Sequence, residues 1–405
     1  MTRLPINSRY LDSPPGFNYD LFGRQKVSQY YTLFDSSHRY QMNDDFSDIT
    51  SDGGTVSYNA NQSTCLLNVT TTSGSKVYRE SKRVFPYQPG KSLQTLQTFV
   101  FSESQDNLRQ RAGYFSRQNG VYLELEGTNL YLVKRSYISG SVVNTRIPQG
   151  EWNVDRLDGD GGSGYTLDIS KAQIFFLEFE WLGVGTVRAG FAINGNFVTA
   201  HEFNHSNIID TVYMTTASLP VRYEIESLDS ISSPASMKQI CVSVNSNGGF
   251  EKRTESWSAV RSTSVSMGTD FYPIVAIRMA SGRTDSVILP ANINLLPVSQ
   301  DNFEWALIKN PATITGGSWV MHSTNNIEYN ISATAMTGGA IVRAGFFAGS
   351  NQSTTTADVA GLNDFDLQLG RTNADTPVSD VLVLGTRHLT GTGSVVGSLG
   401  WFDLI

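Results

Sequence analysis

The stretch IFFLEFEWLGVGTVRAGFAINGNFVTA, residues 174–200, decides the fold class. Residues 174–181 are almost continuously apolar and aromatic, the pattern of a heavily buried strand. A glycine-containing turn leads into residues 187–193, and Asn194-Gly195 separates that run from residues 196–200. Asn-Gly between β-rich runs is a strong hairpin signal, because both residues accept the positive φ of a two-residue turn. Working outward, GVYLELEG (120–127) alternates apolar and acidic side chains and NLYLVKR (129–135) follows, a second hairpin. Residues 223–226 alternate again, and no window of about 12 residues sustains a helical period. Short strands at roughly 8–12-residue spacing predict an all-β chain of sandwich or jelly-roll type.

A length of 405 residues exceeds one ordinary core. We expect two tandem β-sandwich, jelly-roll-like domains, residues 46–235 and 236–405, behind an extended N-terminal arm, residues 1–45. The polar, proline-containing run SLDSISSPAS (227–236) marks the expected boundary. The arm holds Pro14-Pro15-Gly16 and many aromatics without a period. Such an arm needs a surface to cover it, either the body of its own chain or a neighbouring subunit. Tyr10, Phe17, Tyr19, Phe22, Tyr30 and Tyr31 are its candidate docking residues. VRAGF occurs at 187–191 and again at 342–346, which admits a duplicated β-domain.

Charged residues make up only 17% of the chain, so the surface must be built largely from uncharged polar residues and glycine. A net charge of −7 argues against nucleic acid as a partner. No apolar run approaches the length of a membrane span. MTRLPINSRYLD lacks an apolar signal segment, and Cys65 and Cys241 form no disulfide framework, so assembly in a cytoplasm is expected.

HEFNH (201–205) matches the zinc metalloprotease pattern, with His201 and His205 as ligands and Glu202 as base. That chemistry needs a helix to bring the imidazoles onto one face, whereas the preceding residues read as a strand. Four residues along a strand span ~13 Å, too far for one ion. Asp158 and Asp160, in the glycine-rich DRLDGDGGSG (155–164), resemble a calcium loop without its ordered ligand spacing. Both are weak metal candidates. No nucleophile elbow, phosphate loop or dinucleotide fingerprint is present. Paired carboxylates for glycoside hydrolysis would have to come from Glu178, Glu180, Glu224 and Glu226, which read more simply as solvent-facing strand positions. We therefore expect a non-enzymatic protein with no cofactor. Trp152 and Trp257, in polar surroundings, are candidates for glycan or subunit contact.

QRAGYFSRQNGVYLELEG (110–127), residues 151–205, YMTTASLPVRYEIES (213–227) and ICVSVNSNGG (240–249) resemble virion structural proteins of tailed bacteriophages, those of marine and cyanobacterial phages in particular. RVFPYQPGKS (83–92) looks like part of the same block. The resemblance implies a structural place in the virion, on the tail, baseplate or fibre, among other virion proteins. It transfers no catalytic residue. Capsid-surface decoration and host-glycan adhesion are the alternatives. Tail symmetry implies a homotrimer or higher cyclic oligomer.

Overall fold

The computed structural model describes residues 18–19, 25–26, 29–323, 325–349, 355–358, 364–372 and 376–404. Among them the chain is β-structure joined by turns, with two short 3-10 turns, Gln149–Glu151 and Asp364–Leu367. None of their helices is long and apolar enough to cross a membrane.

The first sandwich packs two antiparallel sheets face to face. One has seven strands in the order Val143–Pro148, Asn129–Ser136, Gly120–Glu126, Leu108–Phe115, Val221–Ser227, Lys76–Ser81, Phe46–Ser51. The facing sheet runs Asn196–Phe203, Val187–Ile193, Gln173–Phe179, Ser92–Val100, Ala235–Asn247, Thr64–Val69, Thr55–Asn59. Period-two alternation sends Val121, Leu123 and Leu125 from one sheet, and Phe175, Leu177 and Phe179 from the other, into one core. Both expected hairpins form: Ile193 pairs with Asn196 across Asn194 (φ 52°) and Gly195 (φ 81°), and Glu126 pairs with Asn129.

Two boundaries differ from the sequence reading. Ala235–Asn247 is not the start of the second domain but an inner strand of the first. It pairs along one side with Ser92–Val100, and along the other with Thr64–Val69 and then Tyr30–Ser36. The polar run before it is a loop tied to the sandwich, Ser232 and Ser233 both donating to Gln105. Sheet membership changes between Asn247 and the next strand, Ser256–Met267, and in this interval Gly248 and Gly249 both take positive φ. Nor do residues 1–45 form one arm. Tyr30–Ser36 is a strand of the first sandwich, with Leu33 and Phe34 buried and Phe34 stacked on Phe85 at 5.0 Å. The body of the same chain thus covers that part of the aromatic segment.

The second sandwich pairs a four-stranded sheet (Ser256–Met267, Gly393–Leu404, Val287–Pro297, Thr355–Asp358) with a six-stranded one. The latter runs Val320–Met321, Ile327–Asn330, Tyr272–Met279, Val381–His388, Asn302–Lys309, Ala340–Ala348. Its core gathers around Trp401, Ile274, Ile277, Leu307 and Leu384. Val287, Leu289, Phe365 and Leu404 leave this unit and join the first core, so apolar contact is continuous between the sandwiches.

Candidate functional site

The alternate residues on the seven-stranded sheet, those pointing away from the core, carry charge. Register sets Glu124 opposite Arg111, Arg111 opposite Glu224, and Arg222 opposite Glu80. The result is a ladder of alternating sign. Arg146 meets Glu124 at 2.6 Å, Arg111 bridges Glu124 (2.5 Å) and Glu224 (2.9 Å), and Arg222 bridges Glu224 (2.6 Å) and Glu80 (2.7 Å). Arg371, supplied by the second sandwich, closes it on Glu80 at 2.8 Å. Guanidinium planes rest on rings: Arg111 lies over Tyr122, and Arg222 over Tyr78 and Phe115.

All the ladder's carboxylates are buried, Glu124 to 1% and Glu224 to 3% exposure, so each has exchanged water for guanidinium partners. Burial pushes the Glu224 carboxyl up, but Arg222 and Arg111 outweigh it and hold it down at about 2. A general acid for glycoside cleavage must keep its proton near neutral pH. Glu224 cannot, and it is not the solvent-facing residue its alternation suggested. What the ladder does chemically is weld: Glu80 ties a strand of one sandwich to Arg371 of the other. Beside it Arg371 donates its backbone N–H to the Lys82 oxygen, and Gln368 donates to Val84. RQR (109–111), ELE (124–126) and RYEIE (222–226) carried the signal, legible only once the strands are known to be neighbours.

HEFNH does not assemble. The strand Asn196–Phe203 carries an extra residue, Ala200, between Thr199 and His201. This bulge turns His201 and Phe203 to the core side and leaves Glu202 outside on Arg188, at 2.7 Å. The displaced Ala200 carbonyl accepts from Val154 and Asp155. His205 lies past the strand end, donating through Nδ1 to the Gly185 oxygen at 2.7 Å and stacked on Tyr213. Its Nε2 accepts from Lys134 at 2.9 Å. Burial drives its imidazole down to about 4 despite the bond to Gly185. It is therefore a neutral packing group. Asp158 accepts from the Asp160 N–H and pairs with Arg156, while Asp155 organises the loop by accepting from Leu157 and Ser163. Among the described residues no cluster of His, Cys, Asp or Glu has the geometry of a metal site.

Trp152 is corrected from surface to core: it is 4% exposed, stacked against Phe191, with its indole N–H given to the Ile147 oxygen. A sugar has no face of it to meet. Trp257 lies on the strand Ser256–Met267 rather than in a loop, half-buried and edge-on to His322. Of the docking candidates, Tyr30 is exposed, whereas Tyr31 packs on Phe250 and Phe365. Tyr19 belongs to the short strand Asn18–Tyr19, paired with Gln25–Lys26. Tyr10, Phe17 and Phe22 lie outside the described residues.

No protein-family model and no curated protein sequence matches the chain. Solved β-sandwich structures similar to it include carbohydrate-binding and lectin-like domains. The CBM2 module of the evolved Dit of Lactobacillus casei BL23 phage J-1 shares 6% identity, with 56% of this chain and 100% of that one covered at a TM-score of 0.36. The Emp47p carbohydrate recognition domain shares 10% identity, over 57% of this chain and 100% of that one, at 0.32. A glycoside hydrolase family protein from Mycobacterium thermorestibile shares 9%, over 52% and 99%, at 0.36. Likeness at this level assigns no activity to the chain.

Proposed function

We propose that the chain is a non-enzymatic structural subunit of a tailed bacteriophage particle, seated on its tail, baseplate or fibre. The observation that carries this reading is the strand Ala340–Ala348. It is nine residues long, ends the six-stranded sheet, and has no strand on its outer side among the described residues. Phe346 (71% exposed) and Ile341 (55%) stand in solvent, and Arg343 is the strand's only charge. A long apolar edge is what soluble monomers avoid with lysine, proline or short strands. On a subunit built for permanent contact it is an asset. The welded sandwiches support the same reading, because a particle component must transmit load without its domains separating. Mass spectrometry of purified particles, with and without Phe346→Lys, tests it. Stoichiometric incorporation of the native chain and loss of the variant is the expected result. Absence of the native chain from particles would overturn it.

A further inference from the structure

The loop of residues 37–45, which follows the strand Tyr30–Ser36, is fixed in place yet ends in an exposed ring. Tyr58 donates its hydroxyl hydrogen toward the His38 and Arg39 oxygens, at 2.7 and 2.8 Å. The Asn43 N–H donates to His38 Nδ1 at 3.1 Å, and Arg79, buried in the core, donates to the Asn43 oxygen at 3.0 Å. Asp45 is held through its N–H on the Asn43 side chain and through its carbonyl, which accepts from Lys82. Against this pinned backbone Tyr40 is 80% exposed, more than any other large hydrophobic side chain among the described residues, with Arg39 over its ring at 4.9 Å. A folded loop that spends this many bonds to present one ring to water calls for a ligand.

Around Tyr40 lies an open depression of about 750 Å³. Gln41, Asn43, Asp44 and Asp45 bring amides and two carboxylates to its wall, Asp45 already paired with Arg83 at 3.4 Å, and Arg39, Lys82 and Lys309 bring three cations. Lys309 comes from the second sandwich, where Asp380 orients it at 2.9 Å. An exposed phenol ring offers a stacking face to the C–H side of a pyranose. Amides and carboxylates suit its hydroxyls. The cations, gathered on a chain of net charge −7, suit an anionic substituent.

We infer that this depression binds an acidic carbohydrate: a sugar chain stacked on Tyr40, its carboxylate or phosphate held by Arg39, Lys82 and Lys309. Because the loop is already ordered, binding costs little conformational entropy. The inference goes beyond the assembly role and does not depend on it.

The test is an array carrying oligogalacturonates, sialylated and phosphorylated oligosaccharides, and matched neutral sugars, probed with the full chain, followed by calorimetric titration of the best hit. Acidic glycans should be retained at least about tenfold better than neutral ones. Tyr40→Ala should weaken the hit by about tenfold, and Lys82→Ala should erase the preference for acid. Both variants should keep the native melting temperature, since Tyr40 supports nothing beneath it. Failure to retain any acidic glycan, or undiminished binding by Tyr40→Ala, would overturn the site. Inorganic phosphate, which has no ring to stack, should bind native chain and Tyr40→Ala alike, and acidic-glycan binding left unchanged by Lys82→Ala would also overturn the site. Tyr40→Ala should still enter particles, which separates this result from that of the assembly reading.

Discussion

VRAGF occurs twice, and the two copies meet opposite fates. In the first, within the inner strand Val187–Ile193, Val187, Ala189 and Phe191 are fully buried and Arg188 points outward to Glu202. In the second, within the edge strand Ala340–Ala348, Phe346 is 71% exposed and the core position passes to Phe347, stacked on Phe303 at 5.2 Å. A register shift at Val342 slips the phase by one residue, so Phe346 turns outward while Val342, like Val187, still packs on its core. Both glycines leave room for an aromatic of the next strand, since an added Cβ would lie 2.7 Å from Phe176 in one copy and 2.7 Å from Trp305 in the other. At Gly190 it would also meet the Val198 backbone oxygen at 2.1 Å. Five identical residues therefore specify a strand twice, but not the face that strand buries. The sixth residue decides, alanine at 192 and phenylalanine at 347. This inversion gives no support to a duplicated domain.

The sharpest way to break the comparison is truncation of the two phenylalanines. Phe191 sits against Trp152 and Phe175, so Phe191→Ala should cost about 3–5 kcal/mol in urea unfolding. Phe346→Ala should change stability by less than about 0.5 kcal/mol. Similar losses at both sites would mean that the second copy is buried after all.

Strand identity was legible in the sequence because period-two alternation and Asn-Gly turns act over a few residues. Asn194-Gly195 and the 120–135 hairpin needed nothing beyond their own side chains. The boundary at 235 failed for a non-local reason. SLDSISSPAS has the composition of a linker, yet the strand after it is claimed by partners at 30–36, 64–69 and 92–100, which no local pattern announces. The ladder was hidden in the same way: Glu224 looks solvent-facing on its own strand and becomes buried only with Arg111 and Arg222 alongside. Trp152 misled because polar neighbours in sequence say little about a ring that folds back on Phe191. The bulge at Ala200, which disperses HEFNH, leaves no mark in composition.

The ladder extends the comparison from apolar to charged side chains, since Arg188 is an exposed pair member and Arg222 a buried one. Glu224→Gln leaves two buried guanidiniums short of charge and should cost about 3 kcal/mol or more. Arg188→Ala, whose partners Glu178 and Glu202 remain hydrated, should cost at most about 1 kcal/mol. Chemical denaturation of both variants measures the contrast.

Acid should dismantle the protein in two stages. His38 and His205 are pushed down by burial from 6.5 to about 4 in the folded chain, so the unfolded chain binds their protons first. Their contribution is complete above pH 6.5 and is lost as pH falls toward 4. Glu224 drops from 4.5 to about 2, so its contribution is complete above pH 4.5 and disappears as pH falls toward 2. Denaturation midpoints measured against pH should show both declines. In Glu224→Gln the lower one should shrink while the upper persists.

The smallest effect on folding is expected where the effect on association is largest. Phe346→Lys places a charge on an exposed outer position of Ala340–Ala348, directly across from Glu304, and should leave the melting temperature within a degree or so. Phe347→Lys, one residue on, would drive an ammonium against Phe303 and should unfold the second sandwich. If light scattering finds the native chain associated and Phe346→Lys monomeric at the same concentration, the edge is the contact. If both are associated alike, the contact lies elsewhere and the slip at 346 is a packing solution without a partner. The one-residue phase of this strand thus fixes which of two adjacent phenylalanines holds the fold and which is left for a neighbour.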